Sequence, residues 1–258
     1  AYYGMISYVD AKIGALLDTL ERTGLAENTI VVFTADHGEM MGERGMWYKQ
    51  HFFEWAARVP LIVHSPKRWK AGRVKQNTSL IDLMPTFLEA AQGAPFENYV
   101  DEVDGRSLVP ALEGNVGGMS DIAISEFAAD GSTGPSRMVK KGPWKYMWLE
   151  GQDTVLYNVE EDPRELDNKS GDPLHAAIEQ ELAGIAMDGW DPDAYFDEIA
   201  VSQQRRLMIH RVTNGDPTYV NVVRSDDDQR YIRNAGAADT KARARLPYVA
   251  PAQPDKPG

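Results

Sequence analysis

Cysteine is absent from the 258 residues. Disulfides, thiolate metal ligands and a cysteine nucleophile are therefore excluded within this chain. The same absence fits a reducing compartment, and a cytoplasmic location is the expectation. No apolar run approaches the roughly 20 residues of a membrane span, and the opening stretch lacks a secretory-signal pattern, so no membrane partner is expected. Positive charge is scarce: 27 Lys and Arg stand against 39 Asp and Glu, a net charge of −12. With no basic patch to offset that excess, a nucleic-acid partner is not expected. Internal repeats are also missing. The chain lacks an initiator Met and opens inside a helical pattern, which leads to the expectation of a portion of a longer protein.

The apolar residues that are present fall into readable periods. Met5, Val9, Ile13, Leu16, Leu17 and Leu20 recur at helical spacing, with Gly24 as the stop. "TIVVFT" (29–34) and "VPLIVHSP" (59–66) read as short buried strands of a parallel sheet. "SLIDLMPTFLEAAQG" predicts a helix with Pro85 in its first turns, "GRSLVPALEG" a short helix, and "DIAISEF" (121–127) a strand. From residue 136 the texture changes. "SRMVKKGPWKYMWLEG" predicts a hairpin turning at Lys141-Gly142-Pro143, followed by the strand "TVLYNV". Residues 173–211 are helical with a break near "DGWDPD", and the remainder is polar and ends in "PAQPDKPG". The expected architecture is α/β: a mixed, mostly parallel sheet flanked by helices over 1–135, a small antiparallel α+β subdomain over 136–213, and an extended tail over 214–258.

One stretch carries chemistry. "FTADHGEMMGERGMWYKQHFFEW" (33–55) sets Asp36 and His37 at the end of a strand, where α/β sheets collect ligands. Asp36 supplies a hard oxygen for a divalent cation, and His37 completes the shell or hydrogen-bonds the substrate. Lys49 is a mobile point charge suited to an anionic oxygen. A metal and a lysine together suit the neutralisation of a sulfate or phosphate ester. Gly38, Gly42 and Gly45 give the loop its freedom to fold tightly. A solvated Asp-His-Gly turn is the commoner meaning of those three residues alone. His51, His64, His175 and His210 read as structural, and Trp47 and Trp55 as core.

Taken whole, this stretch resembles the C-terminal metal motif of the sulfatases in the alkaline phosphatase superfamily, most closely the choline-sulfatase branch. "RMVKKGPWKYMW" and "LYNVEEDPRELDN" resemble the same family's C-terminal hairpin and the turn after it. The resemblance implies Asp36 and His37 as metal-site residues, Lys49 as the sulfate ligand, and Lys49 with His37 as the catalytic contribution of this chain. It implies a divalent metal, Ca2+ first, with Mn2+ or Mg2+ as rivals. The family's nucleophile is a formylglycine made from the Cys of a Cys-x-Pro-x-Arg motif. That motif is not here, so the nucleophile is expected outside these residues.

The resemblance also implies choline O-sulfate as substrate, with Glu126 facing the choline cation; on residue grounds alone Glu126 is a solvated strand-end glutamate. It further implies a homo-oligomer, dimer or tetramer, formed through the tail, with Asp239 lent to a neighbour's site. Two alternatives stand beside this reading: a phosphonate monoester or phosphodiester hydrolase sharing Asp36, His37 and Lys49, and a non-catalytic binding or assembly module.

Overall fold

A computed structural model describes residues 2–95, 102–128 and 134–212. Two compact units divide the chain, Ala1–Phe196 and Asp197–Gly258. Of the second, the described part is the end of one helix.

The first unit opens with helix α1 (Tyr2–Arg22), closed by Gly24 at φ 72°. No residue of α1 is fully buried; Ile13 and Leu20 on its apolar stripe are partly covered. Strand β1 (Val31–Thr34) follows, then a long loop, the four-residue helix α2 (Glu54–Ala57) and strand β2 (Leu61–His64). These two strands pair antiparallel, Val31 opposite His64 and Thr34 opposite Leu61. The parallel arrangement expected from their apolar runs is therefore not found. Parallel neighbours need a crossover segment that packs on the sheet. Here the connection carries a 3-10 turn (Glu43–Gly45) and α2, whose carbonyls accept the N–H groups of Gly38 and Glu39 just beyond β1.

A 3-10 turn (Leu80–Asp82), opened by a capping box in which Ser79 and Asp82 exchange side-chain and backbone hydrogen bonds, runs into helix α3 (Leu83–Gln92). Pro85 lies in its first turn and Gly93, at φ 77°, ends it. Helix α4 (Val109–Leu112) packs on α3, and Trp69, Ala90 and Val109 form a small core with Ile30, Val63 and Leu112.

Strand β3 (Ile122–Phe127) joins β4 (Ser136–Lys141), β5 (Trp144–Leu149) and β6 (Val155–Asn158) in an antiparallel sheet of order β3-β4-β5-β6. The hairpin turns where the Lys-Gly-Pro signal sets it. The partner of β3 is a correction: it pairs with β4, Ile122 opposite Lys141, and not with β1. Helix α5 (Ala176–Met187) covers the sheet, burying Leu182 and Ala186 against Val139, Tyr146 and Leu156. Helix α6 (Pro192–Val212) completes the described chain. Asp239, the "TYVNVV" segment and the rest of the tail lie outside the described residues, as does the side chain of His210.

Candidate functional site

The chain leaves β1 at Thr34 and turns sharply at Asp36-His37-Gly38. Gly38 is dictated by close approach: a Cβ there would stand 2.0 Å from the carbonyl oxygen of Trp55. Without it, Gly38 N–H donates to Ala56 O and Glu39 N–H to Trp55 O, both at 2.8 Å. Helix α2 is thereby fastened directly to the end of β1.

Between these two fastened points runs the lysine loop. The Glu39 carboxylate lies across it, Oε1 accepting Tyr48 N–H at 2.7 Å and Met41 N–H at 3.3 Å. Met40, fully buried, donates its N–H to Tyr48 O. Met41, Arg44 and Tyr48 all have positive φ, a conformation costing a non-glycine residue roughly 1–3 kcal/mol and found chiefly where surrounding structure enforces it. Three such residues within eight positions mark a loop held in one shape.

That shape brings the three predicted residues together. Lys49 Nζ stands 2.5 Å from His37 Nε2, and His37 Nε2 lies 3.2 Å from Asp36 Oδ2. His37 Nδ1 is 2.7 Å from the carbonyl oxygen of Gly38. A carbonyl can only accept, so Nδ1 carries the proton and Nε2 presents a lone pair. An imidazole lone pair and a carboxylate oxygen then converge on one cation-seeking point, with the ammonium of Lys49 beside it. This donor pair fits a divalent metal that takes oxygen and imidazole ligands. It is only part of a coordination shell, since no group of three or more potential ligands occurs among the described residues. The Asp36 side chain is 85% exposed, which leaves its oxygens open to a ligand.

Glu126 is placed elsewhere. It sits on β3 opposite Arg137 of β4, and the two form an ion pair at 3.1 Å. Arg137 also donates to Ala186 O at 2.8 Å and stacks over the ring of Trp190 at 5.1 Å. Glu126 thus belongs to a different sheet from Asp36, contrary to the shared parallel edge expected, because β3 is recruited by the hairpin. Trp47 and Trp55, read as core, are 64% and 50% exposed; backbone hydrogen bonds and the Glu39 clamp hold the loop without either tryptophan in a core.

Several residues at the site carry no motif of their own. Lys145 on β5 has 0% exposure, and its ammonium meets Glu54 Oε1 at 2.5 Å, Glu165 Oε1 at 2.9 Å and Phe52 O at 3.0 Å. Glu165, 1% exposed, accepts Glu54 N–H at 2.7 Å with its other oxygen. Arg44 donates to the backbone carbonyl of Glu165 and stacks over Phe53 at 4.2 Å. The one available sequence signal was a lysine flanked by Trp and Tyr inside a strand. His51 is half-buried against Phe53, with both ring nitrogens lacking a partner among the described residues. Burial, aided by the Arg44 charge and opposed by Glu39, pulls its pKa below the ordinary histidine value.

Residues 1–94 match the sulfatase family model, and this match, together with the relatives below, places the chain among the sulfatases. Choline-sulfatase from Rhizobium meliloti (strain 1021) is 34% identical over 245 residues, covering 93% of this chain and 47% of that protein. N-acetylglucosamine-6-O-sulfatase from Bacteroides thetaiotaomicron is 30% identical, over 81% of this chain and 39% of that protein. Among solved structures, the phosphonate monoester hydrolase of Agrobacterium radiobacter superposes with a TM-score of 0.63 at 33% identity, over 72% of this chain and 40% of that one. The chain therefore spans less than half the length of these relatives. No helix among the described residues is long and apolar enough to cross a membrane.

Proposed function

We propose that this chain supplies the metal-and-lysine part of a sulfuric ester hydrolase of the choline-sulfatase type. The observation that carries the reading is the convergence of Asp36, His37 and Lys49 within a domain matched by the sulfatase family. Asp36 and His37 would hold the metal, Ca2+ by the hardness of the carboxylate or Mn2+ by the imidazole. Bound there, a divalent ion would polarise the ester oxygens and offset their charge. Gly38 keeps the His37 proton on Nδ1, so that Nε2 remains a ligand and not a donor. Lys49 places a positive charge beside the same point, where it binds the sulfate and stabilises charge growing on the leaving oxygen. Glu126 would meet the choline cation, exchanging its ion pair with Arg137 for the substrate. Asp239 would add a second negative charge from a neighbouring copy in a homo-oligomer built through the tail. The formylglycine nucleophile would come from residues outside this chain.

A phosphonate monoester hydrolase is the second reading, favoured by the structural likeness to the Agrobacterium enzyme. Paired kinetics on the active enzyme separate them. Choline O-sulfate is expected to be hydrolysed with a kcat/KM well above that of an aryl phosphonate, and Glu126→Gln is expected to raise KM for the choline ester alone. A higher kcat/KM on the phosphonate, indifferent to Glu126, would favour the second reading.

A further inference from the structure

Behind the site, where β5 meets α2, lies a cluster of buried ions. Taking an ammonium and two carboxylates out of water is costly unless each is paired and hydrogen-bonded. Here the lysine is paired on every side: the Lys145 ammonium donates to Phe52 O and Glu165 Oε1 and forms an ion pair with Glu54 Oε1. Glu165 uses its second oxygen on the first N–H of α2, at Glu54. Glu165 thus holds residues 52–54 directly through Oε2 and, through Oε1, holds the lysine that grips the same segment.

That segment is the far end of the lysine loop. Its continuation, Trp55 and Ala56, holds Gly38 and Glu39 by the two 2.8 Å hydrogen bonds. Gly38 in turn accepts from His37 Nδ1, and Glu39 clamps Tyr48, the residue before Lys49. A continuous path of hydrogen bonds thus runs from β5 and the 162–165 turn to both sides of the His37–Lys49 contact. A second strut runs alongside: Arg44 binds the backbone of Glu165, and Arg164 pairs with Glu43 at 3.1 Å. Glu165 has φ +55°, a strained conformation that puts its carboxylate toward α2.

We infer that Lys145 and Glu165 are positioning residues: through α2 they set the placement of Lys49 against His37. Strand β5 of the antiparallel sheet then serves the site through Lys145, a group that does not itself touch substrate. The inference takes from the proposed function only the importance of that contact. Its test reads the imidazole side of that contact and needs no turnover.

The experiment follows the imidazole nitrogens of the 15N-labelled chain by NMR, at a pH roughly one unit above the ordinary histidine value. His37 is assigned by its loss in His37→Gln. In the unaltered chain its two nitrogens are expected to be widely separated, as for an imidazole locked with the proton on Nδ1. Glu165→Gln is expected to leave the circular dichroism of the fold intact while the two His37 signals collapse toward a tautomer average. Should that variant not fold, the paired change Lys145→Met with Glu165→Leu removes both ions together, leaves Glu54 to Arg58, and is expected to show the same collapse. An unchanged His37 pattern in either folded variant would overturn the inference. So would unfolding of both, since the cluster would then be a requirement of folding and not a positioning device.

Discussion

The carboxylate of Glu39 accepts the backbone N–H of Tyr48 across the base of the lysine loop, at 2.7 Å. A hydrogen bond to a charged acceptor contributes about 1.5–3 kcal/mol, and this one fixes the residue next to Lys49. Glu39→Ala is expected to lower kcat of the active enzyme roughly tenfold to a hundredfold through misplacement of the lysine. Glu39→Gln, which keeps one carbonyl acceptor, is expected to lose much less. Equal losses in the two variants would point to the charge of Glu39 and not to its place.

Lys49→Ala removes the ammonium that stands where Asp36 and His37 converge. A loss of about 10²-fold in kcat is expected, comparable to the removal of one oxyanion donor. Steady-state rates on a sulfate ester check it. A near-normal rate would return Lys49 to the status of a solvated loop residue.

Asp36→Asn keeps the shape of the side chain and removes its charge. Metal content after dialysis, measured by mass spectrometry on the active enzyme, is expected to fall from full to a small fraction. A full complement in the variant would take Asp36 out of the metal site.

The half-buried His51 gives a prediction about pH. Its folded-state pKa lies below the unfolded value near 6.5, chiefly through burial, so below that pH the unfolded chain binds the extra proton more readily. The stabilisation is fully present above about pH 6.5 and is lost as pH falls through the folded value. His51→Phe retains the ring against Phe53 and removes the titration. Its melting temperature is expected to fall less steeply than that of the unaltered chain on acidification below about pH 6.5, as followed by calorimetry. Parallel curves would mean that His51 is not the group responsible.

Local chemistry was legible and distant partnership was not. The helix with Pro85 in its first turn, the Lys-Gly-Pro turn at 141–143 and the apolar runs of β1 and β2 each announce an element within a few residues. The Asp36-His37 and Lys49 pair was legible for the same reason, with its spacing inside one loop. The direction of the β1–β2 pairing was not encoded by uniformly apolar strands, which look the same read either way. Nor was the partner of β3, which a hairpin formed later in the chain recruits. Lys145 meets Phe52 across 93 positions and Glu165 across 20, and nothing in the neighbourhood of any one of them names the others.

The two hydrogen bonds that tie Gly38 and Glu39 to Trp55 and Ala56 close a ring in the chain, with Lys49 on its circumference. For a closed loop the entropic cost of length is small, only about 0.6 kcal/mol for each doubling. Within that ring Glu39 and Met40 close a smaller one directly on Tyr48. Residues added between Met40 and Tyr48 would lengthen only the inner loop, so the fold and the placement of Lys49 would both tolerate them. The clasp acts as a buckle: it fixes where the lysine arrives, whatever the length of strap beyond it.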